Sequence, residues 1–131
     1  MIVVDASALL EILLQTSQAQ AASNRLFAKG ELLVAPHLID VEVAQVLRRY
    51  NAAGEMNDGR CREAFEDLAG MRLVRYAHDS LLPRVWELRH NFTAYDAVYL
   101  ALAEALEVPL VTRDSALASA PGHQAMVELL G

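Results

Sequence analysis

The sequence predicts an α/β fold, with a single domain over residues 1–131 built on a central, mostly parallel sheet of about five strands. Three observations predict it. Short β-type apolar runs alternate with helical patterns along the whole chain, which is the mark of strand–helix–strand units. No Ser/Gly/Pro-rich linker, internal repeat or charge block divides the chain, and its 131 residues are the length of one domain. Hydrophobic residues make up 54% and charged residues 21%, a core-forming balance that excludes disordered and low-complexity chains; with aromatics at only 6%, that core must be aliphatic.

The elements follow in order. Ile2-Val3-Val4 is a β-branched run that leads into a Leu-rich helical stretch, Ser7–Leu14. Residues 18–29 are Ala-rich and helical, with Gly30 as the stop. Leu32–Ala35 is the second strand, ended by Pro36. Over residues 38–50 the apolar positions Ile39, Val43, Val46, Leu47 and Tyr50 repeat with a helical period. Asn57 or Asp58 caps the next helix, which turns Cys61, Phe65 and Leu68 inward and ends at Gly70. Leu73–Tyr76 is a third strand. Residues 80–90 form a helix that tolerates Pro83 in its first turn. Thr93 caps the Ala/Leu-rich helix 94–106, which Pro109 stops; Leu110–Thr112 and Met126–Leu130 are the fourth and fifth strands. A parallel sheet of this kind is covered on both faces, and it binds ligands beyond the carboxyl ends of its strands.

Charge and cysteine content narrow the function. Seventeen acidic residues against eleven basic ones leave −6, which argues against a binder that holds nucleic acid by a basic surface. The lone Cys61 makes neither an internal disulfide nor a Cys-rich zinc site, which fits a reducing compartment. No basic stretch precedes the first apolar run, Asp5 and Glu11 interrupt it, and no uncharged stretch is long enough to span a bilayer. The expectation is a cytoplasmic protein with no membrane association.

Four acids stand out. Asp5 directly follows the first strand and Asp114 the fourth, where a doubly wound sheet places its site. Each also suits a helix cap or turn. Glu42 lies inside the apolar stripe between Ile39 and Val43, where a carboxylate needs a partner, a proton or a metal unless it reaches water from the stripe's edge. Asp96 stands three residues after Thr93, at capping-box spacing, which is compatible with facing the same cleft. Four acids on one rim form an oxygen-rich site that suits Mg²⁺, or Mn²⁺, and points to phosphoryl chemistry in which the metal polarises phosphate and activates a water.

The stretches around these acids resemble the PIN domain family, and within it the VapC-like ribonuclease toxins of toxin–antitoxin pairs. The resemblance is carried by Met1-Ile-Val-Val-Asp5-Ala-Ser7-Ala8, by Pro36-His-Leu-Ile-Asp-Val-Glu42-Val-Ala-Gln-Val-Leu47, by Thr93-Ala-Tyr-Asp96-Ala-Val-Tyr-Leu-Ala-Leu-Ala103 and by Pro109-Leu-Val-Thr112-Arg-Asp114. Each motif is weak alone; four in order, across nearly the whole chain, are specific. The resemblance implies an α/β/α sandwich in which Asp5, Glu42, Asp96 and Asp114 hold one or two Mg²⁺ or Mn²⁺ ions and catalyse cleavage of RNA. It further implies that Ser7 and Thr112 line the site, that the protein is a homodimer, and that a small VapB-like antitoxin covers the cleft. Arg113, beside Asp114, departs from the pattern; binding RNA phosphate, bridging an acid and simple solvation are all open to it. Arg48 and Arg49, on the helix of Glu42, are further candidates for RNA contact, against the plainer role of surface charges.

Other chemistries fit less well. A receiver domain needs a late Lys, and the only Lys is Lys29. A haloacid-dehalogenase-like site needs a second Asp where Ser7 stands. Arg84 and His90 resemble the pair of the helical HEPN ribonucleases, but six residues turn a helix by about 600°, so the two would not share a face. Trp86, among Leu82, Val85 and Leu88, reads as a packing residue. The non-enzymatic alternative is a PIN-fold protein-interaction module that has lost its chemistry, against which the presence of all four acids argues.

Overall fold

The computed structural model describes residues 1–131. Strands β1 (Ile2–Val4), β2 (Leu33–Pro36), β3 (Leu73–Tyr76), β4 (Leu110–Thr112) and β5 (Val127–Leu129) form one sheet. Its order is β3-β2-β1-β4-β5, and every pairing is parallel. The chain moves outward from β1 to β3, then returns to the other side of β1 for β4. The strand order therefore reverses between β1 and β4, which is where such a sheet opens a crevice.

Helices α1 (Ala6–Leu13), α2 (Ala19–Leu26), α3 (Leu38–Ala52) and α4 (Asp58–Gly70) form one packed group, in which α1 touches each of the other three. Helix α5 (Leu82–Glu87), entered through a single 3-10 turn at Asp79–Leu81, packs on α6 (Ala94–Leu106), which in turn lies on β1 and β2. Residues Ala97–Ala103 of α6 are all buried. Small and aliphatic residues on every face let this helix sit inside the molecule rather than on it. With β1 and β2 it anchors one contiguous core of 30 buried residues, in which the only rings are those of Tyr99 and Phe92. No helix is long and apolar enough to cross a membrane.

Several local expectations need correction. Helix α6 keeps its expected range, but its stop is not Pro109: Glu107 caps it, with a left-handed backbone (φ 57°, ψ 45°) that sends its N–H back to Ala103 and Glu104. Phe65 is exposed while Ala64 and Leu68 carry the inward face of α4, because the buried stripe runs one residue earlier than the large side chains suggest. Trp86 is 68% exposed, not packed, and the Arg89 guanidinium lies 4.5 Å from its ring centre. Helix α5 stops at Glu87, and a short helix α7 (Ser115–Ser119) follows β4, where no periodicity long enough to reveal it exists.

Candidate active site

Asp5 is the first residue beyond β1 and the cap of α1. Its Oδ1 accepts the Ala8 N–H at 3.1 Å and the Ser7 hydroxyl at 2.7 Å. Its Oδ2 accepts the hydroxyl of Thr112, the fully buried last residue of β4. Ser7 Oγ also accepts the Arg113 N–H at 2.9 Å, and Thr112 Oγ1 accepts the Asp114 N–H at 3.0 Å. Ser7 and Thr112 thus join the ends of β1 and β4 and, with the Ala8 N–H, hold Asp5 on three donors. Burial pushes the Asp5 carboxyl above its usual range, the hydrogen bonds from Ser7, Thr112 and Ala8 oppose this, and the charge of Asp96 adds to it.

The other three acids arrive from separate elements. Asp114 caps α7, its Oδ1 accepting the Ala116 N–H at 2.9 Å. Asp96 sits in the first turn of α6, its N–H donated to Thr93 Oγ1 at 3.2 Å. Burial raises the Asp96 pKa, and Asp114 raises it further. Glu42 is half-buried on α3; burial raises it, a hydrogen bond from Tyr99 opposes this, and Asp5 and Asp96 push it up again. Asp96 thus acts on both Asp5 and Glu42, and Asp114 acts on Asp96, so the four carboxylates are linked through one another's charge.

Tyr99 was not expected in the site. It follows Asp96 by three residues on α6, is 2% exposed, and donates its phenol to Glu42 Oε1. Its pKa is driven far above the ordinary value by burial and by the Glu42 charge, so it remains a donor. The i, i+3 spacing from Asp96 was visible in the sequence, but Tyr99 lies in an apolar run and reads there as core.

None of the four acids is in an ion pair. No three His, Cys, Asp or Glu side chains stand close enough together to hold a metal ion as the side chains lie. Asp5 and Asp114 each commit an oxygen to helix N–H groups. Glu42 Oε2 and Asp114 Oδ2 are left without a donor from the chain. The donor set is all oxygen, with neither nitrogen nor sulfur, and it lacks a compensating cation. Its chemistry therefore fits a hard divalent ion.

The arginines divide. Arg113 is engaged by Glu11 at 3.4 Å and by the Leu130 carbonyl at 2.8 Å, so it bridges an acid. Arg49 lines the groove that contains Ser7 and Glu42, whereas Arg48 lines a different one, between α3 and α4. Arg84 is held by Glu104 and Glu87, and this structural duty removes it from any pairing with His90.

Comparison with known proteins identifies the family and the fold. The family model of the PIN domain matches residues 2–122. Ribonuclease VapC1 of Mycobacterium tuberculosis is 43% identical over 129 residues, covering 98% of this chain and 96% of that protein. Ribonuclease VapC12 of the same organism is 36% identical over 130 residues, 99% of each chain. Among solved structures, VapBC2 from Rickettsia felis, bound to a DNA fragment from their promoter, superposes with a TM-score of 0.74 at 14% identity over all of both chains. At that identity the likeness establishes the fold.

Proposed function

We propose a reaction, and a division of labour among the residues, for a chain that belongs to the PIN domain family and, with its VapC relatives, is a ribonuclease toxin of a toxin–antitoxin system. The reaction is hydrolysis of an RNA phosphodiester bond, with Mg²⁺ or Mn²⁺ as cofactor. One observation supports the metal assignment: four carboxylates from four segments lie within reach of one another's charge, and none of them is in an ion pair. Asp5, Glu42, Asp96 and Asp114 are the residues that would hold the ion. A divalent cation supplies neutralisation of their charge, polarisation of the phosphate and acidification of water.

The chain's own part is preorganisation. Ser7 and Thr112 hold Asp5 from both oxygens, so its carboxylate needs no reorganisation when substrate arrives. The Tyr99 phenol fixes Glu42 Oε1 and leaves Oε2 without a donor from the chain. Thr93 and the α6 terminus orient Asp96, while the α7 terminus orients Asp114. A purely non-catalytic interaction module would have no use for acids left uncompensated in this way, and the full-length relatives named ribonucleases favour the enzyme.

The partners belong to the same reading. A VapB-like antitoxin that inhibits the toxin, a homodimeric assembly and a cytoplasmic location all follow from the family; the Rickettsia felis structure is of a VapB–VapC pair. The purified protein should cleave total cellular RNA in Mg²⁺ and lose that activity in EDTA. Undiminished cleavage after thorough chelation overturns the metal assignment.

A further inference from the structure

An open groove of about 520 Å³ runs between α1 and α3 and reaches the acid cluster at Ser7 and Glu42. Leu10, Leu38 and Val46 make its apolar lining, Tyr95 closes it from the start of α6, and Arg49 stands along it on α3. We infer that this groove is a ribonucleotide subsite, in which Tyr95 stacks a base next to the scissile phosphate and Arg49 holds a phosphate further along the strand. This inference rests on the ribonuclease reading above.

Tyr95 carries the first half. It lines the same groove as Ser7 and Glu42, so a phosphate held at the acids brings a neighbouring base within the span of this ring. The side chain is 62% exposed, and its hydroxyl makes no hydrogen bond within the chain. An aromatic ring in the first turn of a helix, outside the core and beside a catalytic acid, offers a π-face that any unpaired base can cover. Phe27, Tyr50, Phe65 and Trp86 are exposed as well, but none of them lines the groove, and Trp86 already carries the Arg89 guanidinium on its face.

Arg49 carries the second half. Arg25, Arg60, Arg75, Arg84 and Arg113 are in ion pairs; of the five arginines that are not (Arg48, Arg49, Arg62, Arg72 and Arg89), only Arg49 lines this groove. It follows Glu42 by seven residues, two turns of α3, a rise of about 10 Å along the groove. That offset suits a phosphate one or two nucleotides away from the one at the acids. In a chain of net charge −6, such a local cation is what draws the strand along the groove rather than across the surface. The apolar lining between the two takes a base or ribose face rather than a second phosphate. A double helix would bury its bases from Tyr95, so the substrate segment is single-stranded.

The experiment is steady-state cleavage of a short single-stranded RNA in Mg²⁺, together with fluorescence of the same RNA carrying 2-aminopurine beside the scissile bond. Tyr95→Ala should raise KM about tenfold, the effect of one lost base–aromatic stack, with kcat nearly unchanged and without the 2-aminopurine quenching seen with wild type. Tyr95→Phe should behave as wild type, because the π-face and not the hydroxyl does the work. Arg49→Gln should raise KM and reduce the salt slope of binding by about 0.7, the value for one phosphate on a single strand. Both sites are exposed, so the variants should melt with the wild type; a variant that does not is replaced by Tyr95→Leu or Arg49→Met. Unchanged KM and quenching in Tyr95→Ala, while the wild type cleaves, overturns the inference and leaves the ribonuclease reading standing. Unchanged KM with weakened inhibition by the antitoxin assigns the groove to a protein partner instead, and also overturns it. A wild-type protein that cleaves no RNA overturns both.

Discussion

Two side chains decide how the acids are presented. Tyr99→Phe keeps the buried ring and removes only the phenol that fixes Glu42. We expect a stability change of about 1 kcal/mol or less, the net worth of one hydrogen bond, with a larger fall in activity and a higher Mg²⁺ requirement; melting and Mg²⁺ titration of cleavage check it. Asp96→Asn separates a ligand from a cap. The folded pKa values of Asp5, Glu42 and Asp96 lie above their unfolded values, so folding takes up protons and acid favours the folded state. In the metal-free protein, stability from these groups therefore falls as pH rises from the ordinary carboxyl values through the raised ones, and then levels. Glu31 and Glu104, whose pKa values are lowered, act in the opposite sense but are common to both proteins and cancel in the difference. Measured without metal, Asp96→Asn should gain on wild type as pH rises through this window, yet lose nearly all cleavage. A variant that is less stable at every pH but active would make Asp96 a cap alone, which costs about 0.3–1 kcal/mol when its charge is removed.

At the scale of elements, helix α6 connects the core to the site. Its buried body locks its first turn in place, and that turn carries Tyr95 and Asp96 to the crevice. Thr93→Ala should cost about 1 kcal/mol through the lost N-cap, seen as a lower melting temperature. The other end of α6 is strained. Glu107 is an exposed residue in the left-handed region, where glycine has no steric cost, so Glu107→Gly should stabilise the protein by about 1 kcal/mol with activity unchanged. A neutral or destabilising result in thermal melting would show that the Glu107 side chain does more than tolerate its backbone.

The whole molecule is one sheet with one contiguous core, so heat should unfold it in a single cooperative transition, checked by agreement of calorimetric and van't Hoff enthalpies. Mg²⁺ should raise that transition by mass action, about 2.7 kcal/mol at a hundred times its dissociation constant. Asp5→Asn should abolish the increment, because the ion binds only the folded arrangement of acids. A wild-type melt insensitive to Mg²⁺ would count against the site.

The alternation of β-branched runs with helical periods determined the α/β class, and the caps Asn57 and Thr93 marked their helix starts, because these signals are local: hydrogen bonds within one turn and side chains alternating along one strand. The four candidate acids could be singled out for a similar reason, since a carboxylate just after a strand or inside an apolar stripe is anomalous before any contact is known. Tyr99 and the opposed fates of Arg48 and Arg49 were not. Phe65 and Trp86 deceived for a related reason: apolar neighbours in sequence do not say whether another helix will cover them. Glu42 and Tyr99 stand 57 residues apart, and Asp5 and Thr112 stand 107 apart. Only the parallel crossovers that return the chain to β1 bring them together, and only the packing of α3 between α1 and α4 puts Arg49 in one groove and Arg48 in another. Local propensity acts over a few residues, whereas burial and charge act through space, so the identity of the acids lay in the sequence and their partners in the fold.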